Sequence, residues 1–235
     1  MNLINRIQGV FFNPQETFAS VAKNAPWKDV LIVVLIAASL FTIFVQPYSQ
    51  QDSINTFKNN LELKERIGEE RFNQMLDRMQ NPSKIQVLLQ SFVFTPLVVL
   101  LGFLLSAAVI MVLGRLTSTE GRYAQIFSTF LHASLIDKIL GAGVRLLMII
   151  TSKSYMGTTT SMALLFPKLE ALSLEFVVLS QIDFFQLWMF GVLSYGLSSV
   201  FNIKLKKALF ISYGFWLLKS LLNIGIGVLS LSFMG

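Results

Sequence analysis

The stretch IQVLLQSFVFTPLVVLLGFLLSAAVIMVLG, Ile85 to Gly114, contains no charged side chain. About 20 apolar residues at 1.5 Å per residue cross a hydrocarbon layer. This stretch is therefore long enough to span a membrane with tilt, and Pro96 within it predicts a kink. The rest of the chain agrees. Of 235 residues, 54% are hydrophobic and only 14% charged, against about 25% charged in soluble domains. With a mean hydropathy of +0.63, the expected fold class is all-α: a polytopic membrane protein built as a five-helix transmembrane bundle.

Four further spans complete that expectation. Val30 to Val45 is the shortest and is ended by Gln46-Pro47. Ala124 to Ile150 is membrane-length but carries His132, Asp137, Lys138 and Arg145. Phe184 to Ile203 is uncharged, and Ala208 to Gly235 is broken only by Lys219. Residues 1–235 read as one membrane domain. Within it, 1–28 form interfacial helices, 47–84 a helical extracytoplasmic segment and 151–183 an extracytoplasmic loop. The apolar pieces inside 162–179 read as a re-entrant or interfacial element, or as an early start of the fourth span. Gly68 divides the 54–79 stretch into two helices. Basic residues tie in number between the two sides, but on the N-terminal side they sit in shorter loops close to the spans. A cytoplasmic N-terminus and an extracytoplasmic C-terminus follow.

The 1–28 segment reads as an amphipathic surface helix pair. Leu3, Ile4, Ile7, Val10 and Phe11 share one side of a helical wheel, opposite Asn5, Arg6 and Gly9. Asn13-Pro14-Gln15-Glu16 is a second helix start, with a cap, a proline at the first turn and an acid at the positive end. Phe18, Val21, Ala22 and Ala25 then share a face. Phe11, Phe12, Phe18 and Trp27 are the expected interfacial anchors, since aromatic rings favour headgroup depth. Packing of the same helices on the protein's own spans needs the same pattern.

Three stretches resemble the Yip-domain (Ypt-interacting protein) family, in its bacterial branch: NPQETFASVAKNAPWKDVLI (Asn13–Ile32), GRYAQIFSTFLHASLIDKIL (Gly121–Leu140) and FFQLWMFGVLSYGLSSVFNIKLKKALFISYGFWLL (Phe184–Leu218). The resemblance implies five spans with a cytosolic N-terminus, located in a bacterial inner membrane. It links the chain to a family whose eukaryotic members are associated with Rab GTPases and vesicle trafficking. Some of its bacterial members accompany export or ABC-transporter systems. The Asp-Leu-Tyr-Gly-Pro motif of the eukaryotic pattern does not occur here.

Chemistry is sparse. The chain has no cysteine and one histidine, which rules out disulfides and thiolate chemistry and leaves no His-based metal set. GLSSV (Gly196–Val200) lacks the nucleophile elbow that a Ser198–His132 dyad requires. The first apolar run is followed by no small-residue cleavage site. Ionisable groups inside spans are costly and so pair or line a cavity. Asp137 and Lys219 lie at similar depth, which predicts that they face each other. Arg145 and Asn223 extend that polar seam, and Lys138 and His132 flank it. The seam reads either as a structural pin or as a relay. Gly191, Ser194, Gly196, Ser198 and Ser199, with Gly214 and Gly225, are expected at close helix contacts.

The leading functional expectation is a non-enzymatic membrane scaffold or accessory protein with no cofactor. Its expected partners are membrane lipid, an export or ABC-transporter complex, or a second copy of the chain, and no nucleic acid. The alternative is a small transporter or channel using the Asp137–Lys219 seam. A third reading is a bilayer-shaping protein acting through residues 1–25.

Overall fold

The computed structural model describes residues 1–234, and among them the chain is helical apart from its turns and one antiparallel bridge between Ser161 and Asp183. Gly235, the expected extracytoplasmic end, lies outside the described residues. Two short helices open the chain, α1 (Leu3–Phe12) and α2 (Pro14–Asn24). The Asn2 side chain caps α1 by accepting from the Asn5 N–H at 2.8 Å, and a left-handed Ala25 ends α2. Then come α3 (Trp27–Lys58), α4 (Leu61–Ile67) and α5 (Glu69–Gln80). Gly68 separates the last two in a φ of +84° that favours glycine. The Lys64 ammonium bonds across this break to Glu69 and holds its carboxyl below the ordinary range.

Helix α6 (Lys84–Leu89) runs through a π turn, Gln90–Phe94, into α7 (Thr95–Arg115). Pro96 explains that wide turn. It has no N–H to donate and its ring crowds the carbonyl four residues back, so the backbone opens by one residue just before it. Next, α8 (Tyr123–Leu135) passes through a second π turn, Ile136–Gly141, into α9 (Ala142–Ser152). The chain ends with a short α10 (Leu174–Leu179), then α11 (Phe184–Phe201) and α12 (Leu205–Met234).

Four of these runs are long and apolar enough to cross a membrane: Trp27–Lys58, Lys84–Arg115, Phe184–Phe201 and Leu205–Leu231. The helical run over residues 123–152 is of similar length but more polar. Its place in the bundle explains that composition. Helix α8 packs against α1, α2, α3, α7 and α11, and every residue from 126 to 137 is buried. The enclosed half of this run has no need of a lipid-compatible surface, and beyond it Ile139, Leu140, Leu147 and Ile150 are apolar and exposed.

The close approaches rest on small residues. A side chain at Gly196 would collide with Thr129 and Phe18, and one at Gly114 with Phe201. Gly214 and Gly225, expected at such contacts, face open space instead, and on α12 it is Gly227 that packs closely, against Val177.

Three expectations change. Helix α3 does not stop at Gln46-Pro47 but continues to Lys58, so the segment expected from residue 47 begins inside it. One lost backbone bond is outweighed by contacts beyond it: Ile54 is buried, Phe57 stacks on Phe72 at 4.6 Å, and Gln50 donates to the Met79 carbonyl at 2.8 Å. Arg6, assigned to the polar side of α1, is buried. Phe18, expected as an interfacial anchor, is fully buried where α2 packs on α8 and α11. An amphipathic face buries equally well against protein. Replacing Phe18 by Ala is expected to cost about 3–5 kcal/mol, read as a lower thermal unfolding temperature in mild detergent.

Candidate functional site

Ionisable side chains gather at two levels of the 123–152 helix. The lower group joins three elements. Arg6 of α1 donates from Nε to His132 Nε2 at 3.2 Å and forms an ion pair with Asp29 of α3. His132 Nδ1 lies 2.7 Å from the Ser128 carbonyl, an atom that can only accept. The proton therefore sits on Nδ1, leaving Nε2 as the acceptor for Arg6. Both ring nitrogens are occupied, and the Ser198 hydroxyl donates to the Ile203 carbonyl at 2.6 Å. No Ser198–His132 dyad forms.

The upper group is built on the π turn. In a regular helix, Asp137 and Arg145 would stand about 80° apart around the axis; one inserted residue reduces this to about 20°. Long side chains also lean toward the N-terminus, so Arg145 reaches back onto Asp137. Its NH2 donates to Asp137 Oδ1 at 2.8 Å and to the Asp137 carbonyl at 3.0 Å. Lys138 Nζ takes the other carboxylate oxygen at 3.1 Å. Arg145 NH1 donates to Thr160 at 3.2 Å and lies 3.6 Å from Asp183 Oδ2. Asp183 also caps α11, accepting from the Gln186 N–H at 3.0 Å, and the Thr160 hydroxyl donates to it as well. The bridge pairing Ser161 with Asp183 holds the 153–183 loop onto this group.

The expected seam is thus partly present and differently partnered. Lys219 does not bond Asp137: its Nζ donates to Gln186 Oε1 at 2.8 Å. Asn223 pairs with Gln181 at 3.1 Å. Asp137, Lys138 and Lys219 nonetheless line one cavity of about 200 Å³, walled by Phe103, Phe130 and Met189. Equal depth put the two residues at the same level, but depth carries no information on rotation about the helix axis.

Of the expected anchors, Phe12 is 87% exposed. Phe11 packs edge-on against Trp188 at 6.0 Å, and Trp27 edge-on against Phe127 at 5.8 Å. Asp183, Gln186 and Thr160 escaped sequence reasoning, as did the Arg6–Asp29 pair. Asp183-Phe-Phe-Gln186 does carry a helix-start signal, but its pairing with Arg145 is tertiary. Among the described residues no group of His, Cys, Asp or Glu could hold a metal ion.

Long apolar helices around a charged, enclosed one define a polytopic helical membrane protein. The Yip1 domain matches residues 9–226, and the chain belongs to the Yip1 domain family. No curated protein and no solved structure gives a significant match.

Removing one partner of a buried ion pair costs about 3–5 kcal/mol, because the other charge is stranded. Asp137→Asn is expected to destabilise the protein on that scale in thermal unfolding. The double variant Asp137→Asn/Lys138→Met, with one fewer stranded cation, is expected to recover part of the loss.

Proposed function

We propose that this chain is a non-enzymatic scaffold or accessory protein of a bacterial inner membrane. In this reading it crosses the membrane five times, with residues 123–152 as the third crossing, a cytoplasmic N-terminus and an extracytoplasmic C-terminus. Helix α1 lies at the cytoplasmic boundary, where its exposed Ile4 and Phe12 reach the interface. The protein works through helix contacts with lipid, with a second copy or with an export or ABC-transporter complex.

One observation carries this reading: both oxygens of Asp137 are held by cations, Oδ1 by Arg145 and Oδ2 by Lys138. A proton relay needs a carboxylate free to gain and lose a proton, whereas this one is clamped. Arg145 is shared in turn with Asp183 and Thr160, so the network ties α9, α11 and the 153–183 loop together. That supports a structural pin.

The cavity favours the transporter reading. Its lining residues, however, lie in one band about 10–24 Å along the helices from their Arg115, Tyr123, Phe201 and Leu205 ends. Such a band makes a chamber more than a path.

The two readings separate in reconstituted vesicles. Proton and ion permeability is expected to equal that of protein-free vesicles, and Asp137→Asn is expected to lower stability without changing it. A flux that Asp137→Asn abolishes at an unchanged unfolding temperature would establish transport and remove the scaffold reading.

A further inference from the structure

The upper charge group does not balance. Asp137 and Asp183 stand against Lys138, Arg145 and Lys219, leaving one excess positive charge whenever Lys219 is protonated. Lys219 is the unmatched cation. Its Nζ bonds only the neutral Gln186 amide, and among the described residues no ion pair includes it. Holding Lys219 charged among protein and lipid is costly without a close counter-ion, so its protonated form favours one anion in the cavity.

The cavity has room for that anion and an opening through which it can arrive. Lys138 and Lys219 both line it, with Ser106 beside them. At its edge the Lys138 side chain is 43% exposed, and the space over Gly102 is open. The surface nearby in sequence is apolar: Leu101, Leu105, Ile139 and Leu140 are all exposed. The cavity therefore opens on the lipid-facing side of the bundle, and since the hydrocarbon itself holds no anion, the group that reaches it from there is a lipid phosphate drawn below the headgroup layer.

We propose that the cavity between Lys138 and Lys219 binds one singly charged phosphate group, carried by an anionic phospholipid that enters past Gly102 or supplied as free phosphate. The site stands independently of the scaffold reading and requires only that the bundle sits in a membrane. An occupying phosphate accepts from the two ammonium groups and neutralises the excess charge, so it stabilises the folded protein.

The full-length protein is placed in nanodiscs of phosphatidylcholine alone, phosphatidylcholine with one-fifth phosphatidylglycerol, or phosphatidylcholine with added inorganic phosphate. Thermal unfolding is followed in each, and native mass spectrometry counts retained phosphatidylglycerol. The wild type is expected to gain about 3 °C in Tm and to retain one phosphatidylglycerol that resists removal. A gain with the lipid alone assigns the phosphate to a headgroup, and a gain with inorganic phosphate assigns it to the free ion. Lys219→Met removes the unmatched charge and is expected to abolish the gain. Gly102→Leu leaves every charge in place but fills the opening. It is expected to abolish the lipid effect even where Lys219→Met folds poorly. Lys206→Gln/Lys207→Gln, outside the cavity, is expected to keep the gain. An unchanged wild-type Tm in both phosphate arms would overturn the proposal. So would an undiminished gain in both Gly102→Leu and Lys219→Met, or a gain lost only in the Lys206/Lys207 variant.

Discussion

The ionised carboxylate of Asp137, buried in the helical run that the other long helices enclose, is the constraint from which the rest of the architecture follows. A charge at the centre of a hydrocarbon layer costs on the order of 3 kcal/mol or more, and such groups persist when partners meet them inside the protein. Here two cations meet it, and one of them is shared with a second acid. Lys138 is the next residue along, Arg145 is rotated into place by the π turn, and Asp183 at the start of α11 shares the Arg145 guanidinium. The 153–183 loop folds back through Thr160 and the Ser161–Asp183 bridge to complete the shell. An irregular turn, a helix cap and a loop thus serve one electrostatic requirement.

The same helix is fastened at its other level by Arg6, His132 and Asp29. This group explains why α1 and α2 are folded onto the bundle. Arg6 cannot leave His132 without stranding a buried acceptor, and Phe18 cannot leave the small surface at Gly196 without opening a cavity. Together α1 and α2 act as a wedge across α8 and α11, with Ile4 and Phe12 left exposed. Polar clamps at two levels fasten the 123–152 run to α1, α3, α11 and the 153–183 loop.

Much of this was legible in the residue order. The charge-free runs at Ile85–Gly114 and Phe184–Ile203 appear as long helices within a residue or two at most of their ends, Gly68 breaks where expected, and Pro14 begins α2. What escaped was set by tertiary contact. Pro47 reads as a stop because the partners of the outer part of α3, Phe72 and Met79, lie beyond the Gly68 break on α5. Arg6 reads as solvated because its partners, Asp29 and His132, belong to α3 and α8. Asp137 and Lys219 line one cavity without pairing, and a π turn alters the angle between faces without altering composition. No periodicity count reveals it.

The central claim is that the charged 123–152 helix crosses the membrane. The chain contains no cysteine, so single cysteines introduced at exposed Asn73, Thr119 and Lys168 can be labelled with a membrane-impermeant maleimide from either side of sealed vesicles. The account predicts that Lys168→Cys and Asn73→Cys react from the same side and Thr119→Cys only from the other. Lys168→Cys reacting from the same side as Thr119→Cys would show that residues 123–152 do not cross, and would contradict it.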